Sequence, residues 1–428
     1  MIINKISKNK LVTDSFWALI GTIISKGLVL FSGIFIASFL GSDVYGEFGV
    51  IKTTLLSFAV FSSVGLGYTA NKYIAEYKLK KPEYLYLIIK YCRNITFYLS
   101  FLLSIIVCFF SPYICTVLLN AENLTSPLRL ISLCLVFSSL NVTQTGIISG
   151  FGKFKELAKI NTKIGLITFV LSILLTYIWG MLGALLSVIF TQILNFILNY
   201  KLIDTSLNNL IKTRIDRDIK LLKKILIFSL PVSLQESIYS LTSWVFSLLI
   251  IKYSTYSELG IYHAAVQWSA MILFIPGIMR NVILSHLTQN LKENDTFNQI
   301  IKLTIKINLI STLIPAIIIF FCSNYFVIIY GESYNGIERL LNITVFTTIF
   351  ISVSNVFAQI YMSKELNWIM LLFRVIRDVG ILVMFFGLHK IKLFNSTPEN
   401  LLFSVLFLNI IFLIIMVYYY KKRIQCKD

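Results

Sequence analysis

The chain has 428 residues, 57% of them hydrophobic and 14% charged, with a mean hydropathy of +0.80 and a formal net charge of +18. No soluble fold has interior enough to hide that many apolar side chains, so this is a polytopic membrane protein. Its basic residues are dispersed between apolar runs instead of forming one patch, which argues against a nucleic-acid partner and for membrane topology.

Backbone groups in a bilayer are satisfied only within helices or closed barrels. Twelve apolar runs therefore predict an all-α integral membrane protein with about 12 transmembrane helices, at 15–40, 47–72, 88–111, 127–150, 159–178, 181–200, 222–252, 259–285, 303–323, 337–362, 366–389 and 400–420. Lys5, Lys8 and Lys10 precede a first run too long for a signal-peptide core, which reads as an uncleaved span. Near its middle stands Lys26, where an ammonium reaches no headgroup by snorkelling and so faces protein or water. Ser15, Thr22, Gly33 and Ala37 share its face, while Trp17, Ile24, Leu28, Phe31 and Phe35 lie opposite. The first face is expected to line a passage and the second to meet lipid or other helices.

Further along, Asn141 and Gln144 accompany Ser138 and Thr145 on the fourth run. Between the sixth and seventh runs, 206–224 mixes Ile211, Ile215, Ile219 and Leu222 with basic residues, the pattern of an interfacial amphipathic linker. The seventh run carries Glu236 on a stripe of Ser229, Ser233, Ser240, Ser243 and Ser247. That stripe reads either as a close helix contact or as a polar wall where Glu236 binds an ion or a proton. His263 and Gln267 share a face of the eighth run, and His263 is a proton-coupling candidate. Thr348, Ser352, Asn355 and Gln359 share a face of the tenth, suited to sugar hydroxyls or to interhelical hydrogen bonds. The eleventh holds Arg374, Arg377 and Asp378; Arg374 and Asp378 stand at i,i+4 and are placed to pair. These charges read as a structural lock or, with Lys26, as a cationic site for a diphosphate head group.

Lysine and arginine concentrate on alternate connections, at 72–93, 153–163, 201–224, 280–306 and 421–427, so both termini are expected in the cytoplasm. The outer connections are short and house no extramembrane domain. A shift of 214 residues lays Tyr45-Gly46-Glu47-Phe48 on Leu259-Gly260-Ile261-Tyr262, and one of 211 lays Asn141 on Ser352 and Gln144 on Asn355. The chain thus divides into six-helix bundles at 1–205 and 225–428 joined by the linker, pseudo-symmetric about an axis along the membrane normal, with the substrate path between them. The six cysteines show no ligand-like spacing, and no metal is expected. No nucleotide-binding loop, HExxH or nucleophile elbow is present, so the chain reads as a transporter and not an enzyme. Without a nucleotide site, active transport needs an ion gradient or a partner.

The basic N-terminus leading into Ser15-Phe16-Trp17, the loop Leu40-Gly41-Ser42-Asp43-Val44-Tyr45-Gly46, the stretch Gly65-Leu66-Gly67 to Asn71-Lys72, and Gly150-Phe151-Gly152-Lys153-Phe154 resemble the polysaccharide repeat-unit flippases of O-antigen and capsule type, within the multidrug, oligosaccharidyl-lipid and polysaccharide exporter (MOP) superfamily. The resemblance covers the whole chain. It implies an inverted V of two bundles with the MATE-like fold and no cofactor beyond a coupling proton or sodium ion. It also implies alternating access around a cationic cavity for an undecaprenyl-diphosphate-linked glycan, in a bacterial inner membrane. A glycan polymerase and a chain-length regulator are the implied partners. Rival readings are a multidrug cation exporter of the same fold, a lipid II flippase, and a membrane-embedded glycan polymerase or acyltransferase.

Overall fold

The computed structural model describes residues 2–208, 217–277, 294–364 and 366–425. Among them are helices and turns and no strand, as backbone satisfaction in a bilayer requires. The long helices are α1 (Ile2–Ser63), α2 (Leu66–Lys80), α3 (Leu85–Tyr113), α4 (Thr125–Ser132), α5 (Leu135–Gly150), α6 (Phe154–Asn208), α7 (Ile219–Tyr253) and α8 (Tyr256–Ile272). They continue with α9 (Asn294–Cys322), the short α10 (Phe326–Tyr330), α11 (Ile337–Ser363), α12 (Asn367–Ile391) and α13 (Thr397–Tyr419). Seven helical stretches among the described residues are long and apolar enough to cross a membrane, or eight if Glu122–Ser132 and Leu135–Gly150, bent by 46°, form one span.

Two of those stretches each hold two of the apolar runs. In α1 the break is Gly41, at φ 72° and ψ 170°, a conformation glycine adopts without a Cβ penalty. In α6 it is Gly180, at φ 54° and ψ −132°. The hydroxyls of Thr168 and Thr191 lie 2.9 Å apart, whereas a continuous helix would separate them by about 35 Å. The chain therefore folds back at Gly180 into an antiparallel pair. Elsewhere, Val64 and Gly65 in the left-handed region separate α1 from α2, and Lys81, non-helical at φ −150° and ψ 72° before Pro82, ends α2. Thr255 and Ser396 cap α8 and α13 by accepting from the backbone N–H of Glu258 and Glu399.

The packing divides into two compact units, Met1–Phe39 with Glu47–Leu248, and Leu40–Gly46 with Leu249–Asp428. This is not the division by sequence repeat: α7 as far as Leu248 packs within the first unit, and the loop Leu40–Gly46 within the second. Of the expected linker, 209–216 lie outside the described residues.

In the first unit, α1 runs alongside α6. Ser25 Oγ donates to Asn161 O at 2.8 Å, and the rings of Phe35 and Phe39 meet Phe169 and Tyr177. Phe31, Phe35 and Phe39 remain 41–52% exposed, the surface a lipid-facing stripe offers. Leu66, Ile74, Leu85, Ile88, Ile147, Phe151 and Ile225 form a buried core under α2, α3, α5 and α7. Small polar groups join the helices where backbones approach, as in Thr96 with Thr143 at 2.8 Å and Ser62 with Ser139 at 2.6 Å. In the second unit, Val356, Ile360, Tyr361, Met370, Phe412 and Met416 form the core, with the Tyr361 hydroxyl donating to Met416 O at 2.7 Å.

Candidate functional site

The charged group on α12 is a buried ion pair. Asp378 is 4% exposed, and its Oδ1 accepts from Arg377 Nε at 2.8 Å and lies 2.7 Å from Arg377 Nη2. The guanidinium stacks over Phe412 of α13, 5.1 Å from the ring centroid. Gly380, one turn further along α12, lies against Leu408. Asp378, which stands at i,i+4 from Arg374, accepts from the guanidinium of its chain neighbour Arg377. Arg374 itself is half-buried. Lys26 and Thr22 stand on α1, and their side chains lie outside the described residues.

The polar residues of α5 face α6. Asn141 Nδ2 donates to Gln192 O at 2.9 Å and to Gln192 Oε1 at 2.7 Å, and Gln144 Nε2 donates to Phe196 O at 3.4 Å. Asn141 Oδ1 and Gln144 Oε1 are buried and make no hydrogen bond among the described residues. In the second unit Asn308 Nδ2 of α9 donates to Ser352 O at 3.2 Å. Gln359 is 1% exposed, with Nε2 unsatisfied among the described residues, and Asn355 is half-buried. Unsatisfied buried oxygens and amides on both sets of helices mark places that a water, an ion or a hydroxyl would complete.

The serine stripe of α7 packs against the C-terminal part of α1. Ser57 Oγ donates to Ser240 O at 3.1 Å, Trp244 Nε1 donates to Thr54 Oγ1 at 2.9 Å, and a Cβ on Gly65 would come within 2.9 Å of Ser233 N. Ser243 donates back to Tyr239 O at 3.2 Å. Glu236, on the same stripe, is half-buried. The close-contact reading of the stripe therefore describes Ser233 and Ser240. His263 is half-buried on α8 with its ring 5.5 Å from that of Tyr262, and Gln267, on the same face, accepts from the Tyr45 hydroxyl at 2.9 Å.

Residue types alone did not mark the junction built on Leu40–Gly46. Ser42 Oγ and Ser257 Oγ lie 2.6 Å apart, Ser42 N–H donates to Ser333 Oγ at 3.3 Å, and the Tyr45 ring meets the edge of Tyr334. Tyr334 packs on Tyr330, whose hydroxyl accepts from Trp268 Nε1 at 2.9 Å. Burial, with Tyr45, Tyr330 and Asp43 nearby, pushes the Tyr334 phenol up, so it stays neutral. At the centre, a Cβ on Gly46 would lie 2.0 Å from Tyr256 O and one on Gly260 2.0 Å from Ser42 O. The signal was present in the 214-residue shift, which lays Gly46 on Gly260. Gly67 and Gly150, two more of the resembling glycines, lie at close approaches in the first unit: a Cβ on Gly146 would lie 1.9 Å from Gly67 O, and one on Gly150 2.9 Å from Asn71 O.

The chain is 26% identical over 313 residues to an uncharacterized membrane protein of Methanocaldococcus jannaschii, covering 68% of this chain and 73% of that one. Its fold is similar to an inward-facing multidrug resistance MATE family transporter of the MOP superfamily (TM-score 0.76, 16% identity, 96% of this chain and 98% of that one). It is also similar to the lipid II flippase MurJ in an inward closed conformation (TM-score 0.75, 17% identity, 95% and 87%). A third likeness is to a MOP superfamily transporter from Pyrococcus furiosus whose binding pocket is described as of reverse polarity (TM-score 0.69, 17% identity, 97% and 95%). Residues 11–285 match the family described as polysaccharide biosynthesis protein. With well over half its length in that match and the fold of the MOP transporters, the chain belongs to the polysaccharide biosynthesis protein family.

Proposed function

We propose that this protein is a flippase that moves undecaprenyl-diphosphate-linked oligosaccharide repeat units from the cytoplasmic to the outer leaflet of a bacterial inner membrane by alternating access. The observation that carries the reading is the polysaccharide biosynthesis match over residues 11–285 on a fold shared with a lipid II flippase. In this reading Lys26, Arg374 and Arg377 hold the diphosphate, because guanidinium groups suit phosphate oxygens. Asn141, Gln144, Asn355 and Gln359 meet sugar hydroxyls, with Thr22, Ser240 and Ser243 along the path. Glu236, Asp378 or His263 takes and releases the coupling proton or sodium ion, which biases the equilibrium between the two access states. The two repeat bundles supply those states, and both termini lie in the cytoplasm.

The test is deletion of the gene in its native strain with complementation by wild type, Lys26→Ala, Glu236→Gln or Arg374→Ala. Surface glycan is assayed together with the leaflet in which lipid-linked single repeat units accumulate. Units trapped on the cytoplasmic leaflet, released by wild type and not by the variants, support the flippase and its site. Units that reach the outer leaflet yet stay unpolymerised overturn the flippase in favour of an enzyme. Normal glycan in the deletion strain with new sensitivity to organic cations favours the multidrug exporter.

A further inference from the structure

One end of α7 and the neighbouring turns of α2 form a groove of about 500 Å³ lined by Tyr73, Lys220, Lys223, Lys224, Ile227, Phe228 and Pro231. All of it lies in the first unit. The Tyr73 and Phe228 rings stand edge to face at 5.8 Å and form its floor. Lys72 Nζ sits 3.8 Å from the centroid of Phe228 and 5.7 Å from that of Tyr73, while Lys224 Nζ sits 5.2 Å from Tyr73 and 5.8 Å from Tyr77. The ammoniums of Lys72 and Lys224 are thus positioned by aromatic faces, an interaction that holds a cation without neutralising it. The four lysines Lys72, Lys220, Lys223 and Lys224 are exposed, and none makes an ion pair among the described residues. The nearby carboxylates are otherwise engaged: Asp218 caps α7 by accepting from the N–H of Lys220 and Leu221, and Glu76 pairs with Lys80 at 3.3 Å.

Four like charges held together call for an anion. The surroundings say which kind. Beyond the lysines, α7 continues directly into a stretch apolar enough to cross a membrane, with Ile227 64% and Leu230 55% exposed. The lysines therefore stand at the depth of lipid headgroups, with hydrocarbon-facing surface immediately beneath them. We propose that this groove binds the phosphate of an anionic phospholipid, with Lys72, Lys220, Lys223 and Lys224 around the headgroup and Ile227 and Pro231 against the start of its acyl chains. The site serves to seat α7 against α2 at the membrane surface, and it does not depend on what the protein transports.

The test is native mass spectrometry of the full detergent-purified chain titrated with phosphatidylglycerol or with phosphatidylcholine of the same acyl chains. Wild type is expected to bind phosphatidylglycerol at least tenfold more tightly. The double variants Lys72→Gln/Lys224→Gln and Lys220→Gln/Lys223→Gln each lose affinity, by roughly fivefold per lysine removed. Lys302→Gln/Lys306→Gln, two exposed lysines of α9, keeps wild-type affinity. Equal binding of the two lipids overturns the proposal, as does an equal loss in the α9 control, which would mean attraction to net charge alone. Displacement of phosphatidylglycerol by inorganic diphosphate, retained at the same stoichiometry in its place, would assign the groove to a soluble phosphate and also overturn it.

Discussion

Gly46 and Gly260 are 214 residues apart in the sequence and meet back to back. A Cβ on the first would lie 2.0 Å from Tyr256 O and on the second 2.0 Å from Ser42 O. The same shift that lays Gly46 on Gly260 lays Ser42 on Tyr256, so the two contacts are one contact seen from each repeat. This is the arrangement of a two-fold-related close crossing, where self-complementary positions face each other. Either Gly46→Ala or Gly260→Ala forces the backbones apart, an overpacking that costs about 1–3 kcal/mol. Each is expected to lower the melting temperature in detergent to a similar extent, because each inserts one methyl at an equivalent place. A change at one glycine that leaves melting untouched while the other collapses the protein would break the equivalence.

The serine hydroxyls beside that crossing predict a covalent lock. Ser42 Oγ and Ser257 Oγ are 2.6 Å apart, within the reach of a disulfide once both are cysteine. In a background where the partly or fully exposed Cys108 and Cys322 are serine, Ser42→Cys/Ser257→Cys is expected to cross-link on mild oxidation. A gel shift after proteolysis between the two positions detects it. Under alternating access the cross-linked protein stops restoring surface glycan and recovers on reduction. Restoration undiminished by a complete cross-link would mean this junction stays closed throughout transport.

Much of this fold was legible from apolar periodicity, because a bilayer satisfies backbone groups only in helices or closed barrels, and apolar runs of that length suit helices. The seam at Gly180 shows as a Trp-Gly between two runs, and Gly41 as the first residue of a short polar loop. What the periodicity did not show is which helix faces which. The serine stripe of α7 carries the same residue types for a packing face as for a cavity wall, and only the contact of Ser57 with Ser240 tells them apart. Likewise Arg374 and Arg377 are both spaced to reach Asp378, and helical spacing cannot say which guanidinium also finds an aromatic ring, as Arg377 does on Phe412. The glycines were visible as motif residues; their function as contact points needed the partner backbone in place.

Gly146 makes one of the closest such contacts in the first unit, since its Cβ would fall 1.9 Å from Gly67 O. The helices α2 and α5 are also joined by the core around Leu66, Ile74, Ile147 and Phe151. Gly146→Ala is therefore expected to cost more than Gly152→Ala. At Gly152 no atom of the described residues would lie within 4 Å of a Cβ, and the cost is that of a positive φ alone, 71°. Detergent melting curves of the two variants check the order, and Gly152→Ala as the more damaging change would contradict the close approach of α2 and α5.

The pair of Arg377 and Asp378 separates a structural role from a transport role. Asp378 is 4% exposed, and its Oδ1 takes both Nε and Nη2 of the guanidinium. Asp378→Asn leaves that part-buried guanidinium without this counter-charge, a loss of at most about 3–5 kcal/mol, whereas replacing both members by apolar residues is often neutral. Asp378→Asn is thus expected to melt well below wild type, and Arg377→Met/Asp378→Leu close to it, with Phe412 still covered by the methionine. A double variant that melts as low as the single, or lower, would mean the pair contributes net stability. Once stability is restored, surface glycan decides what the charges do. A double variant that folds and restores glycan assigns the pair to locking α12 against α13. One that folds and restores none assigns Asp378, Arg377 or both to handling the ion or the diphosphate, and Arg377→Lys with Asp378 intact then tells them apart, since it keeps the charge and loses the planar fork that a diphosphate needs.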